Sequence, residues 1–260
     1  MYPIFFKFGP ITIRFYGLMI AIAFLVATYL MRSEAKRKGL GSECIVDFAS
    51  IAIISGILGA RLYYVILHID CFLGHPADII KIWQGGLAFH GGILGGFLAG
   101  IWFAKSRGIP FWKFADTGAP AIILAQVIGR TGCLLNGCCF GKETSLPWAV
   151  TFKNPESMAL LNVPLHPTQL YEILGNLSFF LLLWKLRTKK MPDGYLFLLY
   201  AIMYSALRSA LEFFRADAMY LWNTWLSWGQ IMAITTIAFS VICIYKLRRK
   251  TKKGLPDSGL

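Results

Sequence analysis

Charged residues are scarce in this chain, and acidic ones are the scarcest. There are 13 Asp and Glu against 26 Lys and Arg, and these four types make up 15% of the 260 residues, whereas a soluble domain has about 25%. Hydrophobic residues reach 57%, and mean hydropathy is +0.58. This balance excludes an ordinary soluble domain and indicates an integral membrane protein.

Long polar stretches, internal repeats and low-complexity linkers are also missing, so we expect a single membrane domain over residues 1–260 with a basic tail at about 246–260. Apolar segments recur throughout, each near the length of roughly 17–25 residues that crosses about 30 Å of hydrocarbon. The first has no small-residue cleavage site and is interpreted as a retained helix. The predicted fold class is an all-α integral membrane bundle of about seven transmembrane helices, at about 12–31, 46–67, 86–104, 112–132, 167–186, 194–213 and 224–245.

Lys and Arg are distributed unevenly over the connections between these segments. One set of connections carries 17 of them, within 32–38, 105–113, 185–190 and 246–253, and the opposite set carries five, which are Lys7, Lys81, Lys142, Lys153 and Arg215. Because basic loops stay in the cytoplasm, we expect the N-terminus outside and the C-terminus inside. The net charge of +13 then reflects topology and anionic lipid surfaces, and no groove-reading or stacking module indicates nucleic-acid binding.

Ionisable residues inside the apolar segments are the main functional signal. Such groups are costly at that depth, so they normally face a bundle interior or a wet cavity. A rise of about 1.5 Å per helical residue converts the position of a residue in its helix into a depth in the membrane. By this measure the six ionisable residues and Tyr16 all lie in the external leaflet. Each charge alone could equally hold helices together, but their shared depth predicts one pocket that opens outward. The six residues are Arg61, His90, Arg130, Glu172, Arg208 and Glu212.

The charges of this predicted pocket indicate its ligand. Three arginines against two glutamates leave an excess of positive charge, and a planar guanidinium suits bidentate contact with phosphate. Arg208 and Glu212 are four residues apart on one helical face and can pair. We therefore expect an anionic head group.

Glycines are concentrated between residues 85 and 100. Small residues let membrane helices approach closely, and we assign that role to Gly95, Gly96 and Gly100. The glycines of 85–92 surround His90, where bare backbone could admit a lipid or a peptide. This setting favours a functional His90 over a structural one.

Ordered motifs run from one end of the chain to the other. They include GRTGCLLNGCCFG at 129–141 and HPTQLYE at 166–172, together with motifs at 15–19, 59–64, 85–92, 204–215 and 229–230. In this order they resemble the bacterial prolipoprotein diacylglyceryl transferases. That family moves a diacylglyceryl group from phosphatidylglycerol to the lipobox cysteine thiol in the signal peptide of a prolipoprotein. The reaction forms a thioether and releases glycerol phosphate at the outer face of the inner membrane, as the first step of lipoprotein maturation.

The resemblance implies a role for each matching residue. Arg130 and Arg208 would hold the donor phosphate and stabilise charge on the leaving group. His90 would act as general base towards the thiol, because imidazole titrates near neutral pH. It implies no cofactor and no metal. The implied substrate-binding residues are Arg130, Arg208, Tyr16, Tyr204, Arg61, Glu212, Gly91, Gly92, Asn136 and Gly141.

Three cysteines depart from the resemblance. The family more often has Asn at the position of Cys133 and Glu at the position of Cys138. In this chain Cys138 is followed directly by a third cysteine, Cys139. Either that carboxylate is auxiliary in the family, or the site is rearranged in this chain. No pair of Cys-x2-Cys motifs indicates zinc, so the thiols are interpreted as small apolar side chains or as a disulfide.

Two alternative functions remain open from the residues alone. Another phospholipid-using membrane transferase would need the same kind of site. A secondary transporter for an anionic solute would also use buried arginines, but related halves with interrupted helices are expected there, and no repeat is visible in the sequence.

Reporter fusions test the predicted topology. The asymmetry of basic residues predicts cytoplasmic signals for fusions at Lys38, Lys105 and Lys189, and external signals at Asp78, Asn154 and Ala218. An external signal at Lys189 would contradict both the helix count and the shared depth of the ionisable residues.

Overall fold

The computed structural model describes residues 2–9, 11–221 and 224–252, and this part of the chain is mainly helical. A short helix α3 (Ile69–Leu73) and two 3-10 turns follow the second long helix. Each of the seven predicted apolar segments overlaps one long helix. These are α1 (Phe15–Arg37), α2 (Glu43–Leu67), α4 (Phe89–Ser106), α5 (Phe111–Asn136), α6 (Thr168–Leu186), α7 (Tyr195–Glu212) and α8 (Trp228–Lys252).

Within the described residues, four stretches of helix are long and apolar enough to cross a membrane, in α1, α2, α5 and α8. Each also exposes large apolar side chains, such as Leu25, Leu58, Ile122 and Phe239. Exposure on this scale is unfavourable in water, so these faces are suited to lipid. The structure therefore supports a helical membrane protein, whereas the count of seven spans and their orientation stay predictions.

Short strands were not part of the predicted all-α fold. The segment before α1 is an antiparallel hairpin of β1 (Ile4–Phe8) and β2 (Ile11–Arg14). Strands β3 (Val150–Thr151) and β4 (Pro164–Leu165) form a second antiparallel pair in the connection between α5 and α6. Phe152 and Leu165 are each 1% exposed and give this connection a small apolar core.

The described residues form two compact units. The large unit contains those of Met1–Met31 and Ala115–Ser258, and the small unit contains those of Arg32–Phe114. The prediction of a single domain over 1–260 stays a prediction. The basic tail expected from residue 246 is helical as far as Lys252, and residues 253–260 lie outside the described residues.

In the small unit, α2 and α4 pack through glycine. A methyl group at Gly59 would overlap the carbonyl oxygen of Gly91, one at Gly91 would overlap that of Gly59, and one at Gly95 would overlap that of Ser55. These contacts show the close approach that small residues permit. The expectation holds for Gly95 but not for Gly96, where an added methyl would meet no atom within 4 Å.

In the large unit, a buried carboxylate fixes the start of α7. Asp116 of α5 is 4% exposed, and its two oxygens accept hydrogen bonds from the backbone N–H groups of Gly194, at 3.0 Å, and Phe197, at 2.8 Å. An anion at a helix N-terminus is stabilised by the unpaired N–H groups there. This contact joins α5 to α7, both of which carry candidate site residues.

Alanine at two adjacent glycines tests the packing of α2 against α4. Gly95→Ala should lower the free energy of unfolding by about 1–3 kcal/mol, because the overlap is with rigid backbone. Gly96→Ala, on the same helix, should be neutral or slightly stabilising, since Ala favours helix over Gly. Thermal unfolding of the two variants in the same detergent measures the difference, and equal stabilities would contradict the close approach.

Candidate active site

A buried ion pair joins α5 to α6 in the large unit. Arg130 Nε lies 2.9 Å from Glu172 Oε1, and the two side chains are 17% and 3% exposed. The two groups are not aligned as a full hydrogen bond, so each keeps hydrogen-bonding capacity. A buried charge is costly unless it has a partner of opposite charge. Arg130 and Glu172 therefore stabilise each other in their charged forms.

A second ion pair lies within α7, where Arg208 Nη1 contacts Glu212 Oε2. The predicted i, i+4 pairing is therefore present. The Glu212 carboxylate also lies against α8, because a methyl group at Gly229 would meet its Oε1 at 3.0 Å. Ser227 and Gln230 form a reciprocal capping box at the start of that helix. Glu212 is thus held by Arg208 on one side and by the positive end of α8 on the other.

Two tyrosines lie beside these pairs. Tyr204 lies one turn before Arg208 on α7 and interacts electrostatically with Glu172, Arg130 and Arg208. Tyr16, the second residue of α1, interacts with Arg130 and with the thiols of the 133–139 segment. We call Tyr16, Arg130, Glu172, Tyr204, Arg208 and Glu212 the arginine cluster.

The arginine cluster does not carry the predicted excess of positive charge. Each of its two arginines faces a buried glutamate, so its fixed charges compensate in pairs. The guanidinium groups remain partly accessible, with Arg208 25% and Arg130 17% exposed. The contacts to glutamate engage Nε of Arg130 and Nη1 of Arg208, so each arginine keeps other donors for a ligand.

Arg61 contacts the backbone of its own unit, and its expected contact with substrate stays a prediction. It lies in the small unit, is 7% exposed, and donates to the backbone carbonyls of Asp78, Ile79, Gly85 and Gly86 at 2.5–3.1 Å. Four of the five N–H groups of a guanidinium are thereby used. Arg61 holds the segment that leads into α4, and so positions the start of that helix.

His90 is the second residue of α4 and is exposed. Its ring has no hydrogen-bond partner in the part of the chain that the structure describes, so it is open to a substrate. Gly91, next to it, packs against Gly59, and a methyl group at Gly92 would approach the Gly56 carbonyl to 3.4 Å. These two glycines therefore pack against α2, and the expectation that they bind substrate stays a prediction.

Asn136 and Gly141 also have structural contacts. Asn136 is 5% exposed, and its Nδ2 lies 3.1 Å from Met158 Sδ. A methyl group at Gly141 would meet His166 Cβ at 2.5 Å and the Phe214 carbonyl at 2.6 Å. Both residues therefore pack against the connection that follows α5, and the expectation that both bind substrate stays a prediction.

The three cysteines come together at the end of α5. Gly137 has φ +75°, its N–H donates to Leu134, and the N–H of Cys138 donates to Cys133. This is the Schellman arrangement, which reverses the chain and brings the residue after Gly137 back over the last helical turn. The Sγ atoms of Cys133, Cys138 and Cys139 all lie within 4.8 Å of one another.

Arg215 also lies next to the cysteines, although its place in a connection predicts only a loop charge. It is 6% exposed and makes a bidentate contact with Asp217, at 2.8 and 2.7 Å. Hydrogen bonds from the Cys133 and Cys138 thiols, with the nearby charges of Arg130 and Arg215, hold the pKa of the Cys139 thiol below its usual value. Arg215, paired with Asp217, therefore places a second guanidinium group beside the cysteines.

Comparisons with known proteins point to one family. Residues 3–246 match the family profile described as prolipoprotein diacylglyceryl transferase. A relative from Trichormus variabilis named phosphatidylglycerol–prolipoprotein diacylglyceryl transferase is 38% identical over 264 residues, covering 98% of this chain and 92% of the relative. Relatives of the same name from Geobacillus kaustophilus and Bacillus velezensis are 41% and 36% identical, over 95% of this chain and 92% and 93% of their own.

Arg61→Lys tests the role of Arg61 as a clamp on backbone carbonyls. An ammonium has three donors at a single point and cannot replace four contacts spread over residues 78–86. We expect amide hydrogen exchange in 76–88 to rise about tenfold or more, as two charge-assisted bonds are lost. Arg107→Lys, at an exposed pair with Asp47, is the control, and unchanged exchange in the Arg61 variant would contradict the clamp.

Proposed function

The chain belongs to the prolipoprotein diacylglyceryl transferase family, and we propose that the arginine cluster binds the lipid that this reaction consumes. The protein is a membrane transferase that moves a diacylglyceryl group from phosphatidylglycerol to a prolipoprotein. Its family membership favours this function over transport of an anionic solute and over other phospholipid transferases.

The acceptor atom in this proposal is the thiol of the lipobox cysteine. The thiol sulfur attacks the glyceryl carbon that carries the phosphate, a carbon–sulfur bond forms, and the carbon–oxygen bond to phosphate breaks. The electron pair of that bond stays on the phosphate, so glycerol phosphate departs with an additional negative charge. The chemical requirement is therefore a cationic site around the phosphate and a group that takes the thiol proton, which the resemblance assigns to His90.

Arg130 and Arg208 meet the first requirement. Their partly accessible guanidinium groups are connected through Tyr204 and held in place by buried glutamates. This preorganisation is the single observation that carries the proposal, because fixed donors stabilise developing charge without reorganising during the reaction. Glu212 acts on the lipid indirectly, by orienting Arg208.

The compensated charges of the cluster fit a reversible site for an anion. The two glutamates are paired with the arginines. When a phosphate is bound, its oxygens can use the guanidinium donors that the carboxylates leave open, and the glutamates keep the site close to neutral as product leaves. Tyr16 and Tyr204 line the path of the lipid beside these donors.

The location proposed for the reaction is the outer leaflet of the bacterial inner membrane. The excess of Lys and Arg in one set of connections supports an external N-terminus. With an external N-terminus, α5 and α7 would run from the cytoplasmic to the external side. Their last residues would then lie near the external surface, where an exported prolipoprotein would meet its donor lipid. The signal peptide of that prolipoprotein is the proposed protein partner.

Lysine substitutions test whether the site binds phosphate through the planar, bidentate geometry of arginine or through positive charge alone. Arg130→Lys and Arg208→Lys keep the charge but lose the planar fork. Each should reduce the initial rate of transfer from phosphatidylglycerol to a lipobox peptide about ten- to a hundredfold, because a charge-assisted contact of about 1.5–3 kcal/mol is lost mainly in the transition state.

The matched control is Arg32→Lys, at an exposed ion pair with Glu43 in the small unit. It should transfer at nearly the parental rate, since exposed pairs contribute about 0–1 kcal/mol. Parental rates in both site variants, with folding verified, would overturn bidentate phosphate binding while leaving the family assignment in place.

A further inference from the structure

The cysteine cluster at the end of α5 has a geometry that the transfer reaction does not explain. Cys133 lies in the last turn of the helix, and the Schellman turn at Gly137 returns Cys138 to it. Cys139 follows with φ +60°, a conformation that few residues other than glycine adopt. The chain is therefore bent twice within three residues, with the result that three sulfur atoms converge.

Buried side chains hold this bend from outside. Thr168 and Gln169, at the start of α6, are each 1% exposed. The Thr168 hydroxyl donates to the Cys139 carbonyl and Gln169 Nε2 donates to the Cys138 carbonyl, both at 2.8 Å. Consecutive carbonyls are thus held by consecutive residues, which fixes the backbone from which the Cys138 and Cys139 side chains project.

The spacing of the sulfur atoms suits a thiophilic cation. A metal with sulfur ligands at about 2.3 Å needs sulfur–sulfur separations of about 3.8–4.0 Å, and the three Sγ atoms already lie within 4.8 Å of one another. Three thiolates would place three negative charges on a divalent cation. Arg130 and Arg215 lie next to these thiols. Because each is already paired with a carboxylate, they offer the thiolates the N–H donors that those pairs leave open, and not an uncompensated positive charge.

We propose that Cys133, Cys138 and Cys139 bind one zinc-like divalent cation whose fourth coordination position takes the acceptor thiol. Among the described residues, no histidine or carboxylate joins the three sulfur atoms, and three protein ligands with an open position are characteristic of catalytic zinc sites. The identity of the fourth ligand rests on the proposed function, because that reaction brings a cysteine thiol next to Arg130.

The chemistry of this step needs no oxidant or reductant. The acceptor thiol gives its proton to a base when it binds the cation, because metal ligands must be deprotonated. The bound thiolate attacks the glyceryl carbon, and glycerol phosphate leaves with the electron pair of the broken carbon–oxygen bond. The thioether formed is a neutral, weaker ligand than the thiolate, so the product can leave the cation.

Cobalt(II) is a visible probe for this site. The reduced, metal-free, full-length protein in detergent should take up one Co²⁺ and develop thiolate-to-cobalt absorption, which one equivalent of Zn²⁺ then removes. Cys133→Ser and Cys139→Ser should each weaken metal binding at least about tenfold. Cys71→Ser and Cys243→Ser are the matched controls, since both thiols lie outside the cluster, and they should bind metal like the parent.

Acceptor peptides test the fourth position. A lipobox peptide should raise the intensity of the thiolate-to-cobalt absorption by about a third, as expected when a fourth thiolate joins three. The same peptide with serine in place of cysteine should leave the intensity unchanged. Zinc-loaded protein should transfer diacylglyceryl faster than metal-free protein, and this difference should vanish in Cys139→Ser.

The outcomes separate this inference from the proposed function. Transfer activity without cobalt uptake, cobalt absorption that persists in Cys139→Ser, or no response to the cysteine peptide would each overturn the metal site and leave the function standing. Metal binding by a protein that fails to transfer diacylglyceryl would instead count against the function. A Cys133–Cys138 disulfide, with no metal uptake after reduction, would also overturn the inference.

Discussion

Two buried guanidinium–carboxylate pairs, Arg130–Glu172 and Arg208–Glu212, govern the arrangement of the large unit. Removing one partner of such a pair leaves an uncompensated charge and costs about 3–5 kcal/mol. The first pair joins α5 to α6, and the second places its carboxylate against the start of α8. The groups that we propose to bind the donor lipid therefore also hold these helices together.

The long helices could be predicted because each is an almost uninterrupted apolar segment, and composition alone indicates its position. The hairpin of β1 and β2 could not, since strands of four and five residues are too short for a periodic pattern to show. Helix packing was partly predictable. The sequence shows where glycine occurs, but the roles of Gly95 and Gly96 differ because only one of them faces α2.

The site was predictable to the extent that a charge in an apolar segment stands out. Arg130 and Arg208 were identified in this way. What a charge binds depends on contacts distant in sequence, so Arg61 could not be assigned to the carbonyls of residues 78–86 from its depth. The cysteine cluster has a recognisable signal in the sequence. Asn136-Gly137 after an apolar helix predicts a helix C-cap, and such a cap brings Cys133 and Cys138 together.

The reciprocal contact between Gly59 and Gly91 limits how this protein can change over time. An added methyl group at either position would overlap the backbone oxygen of the other, and a backbone oxygen cannot be shortened by substitution. A clash between side chains can be relieved by a smaller residue on the partner, whereas here the partner is already glycine. Second-site suppressors of a change at Gly59 should therefore be absent from Gly91, and a suppressor would have to act by moving a helix as a whole.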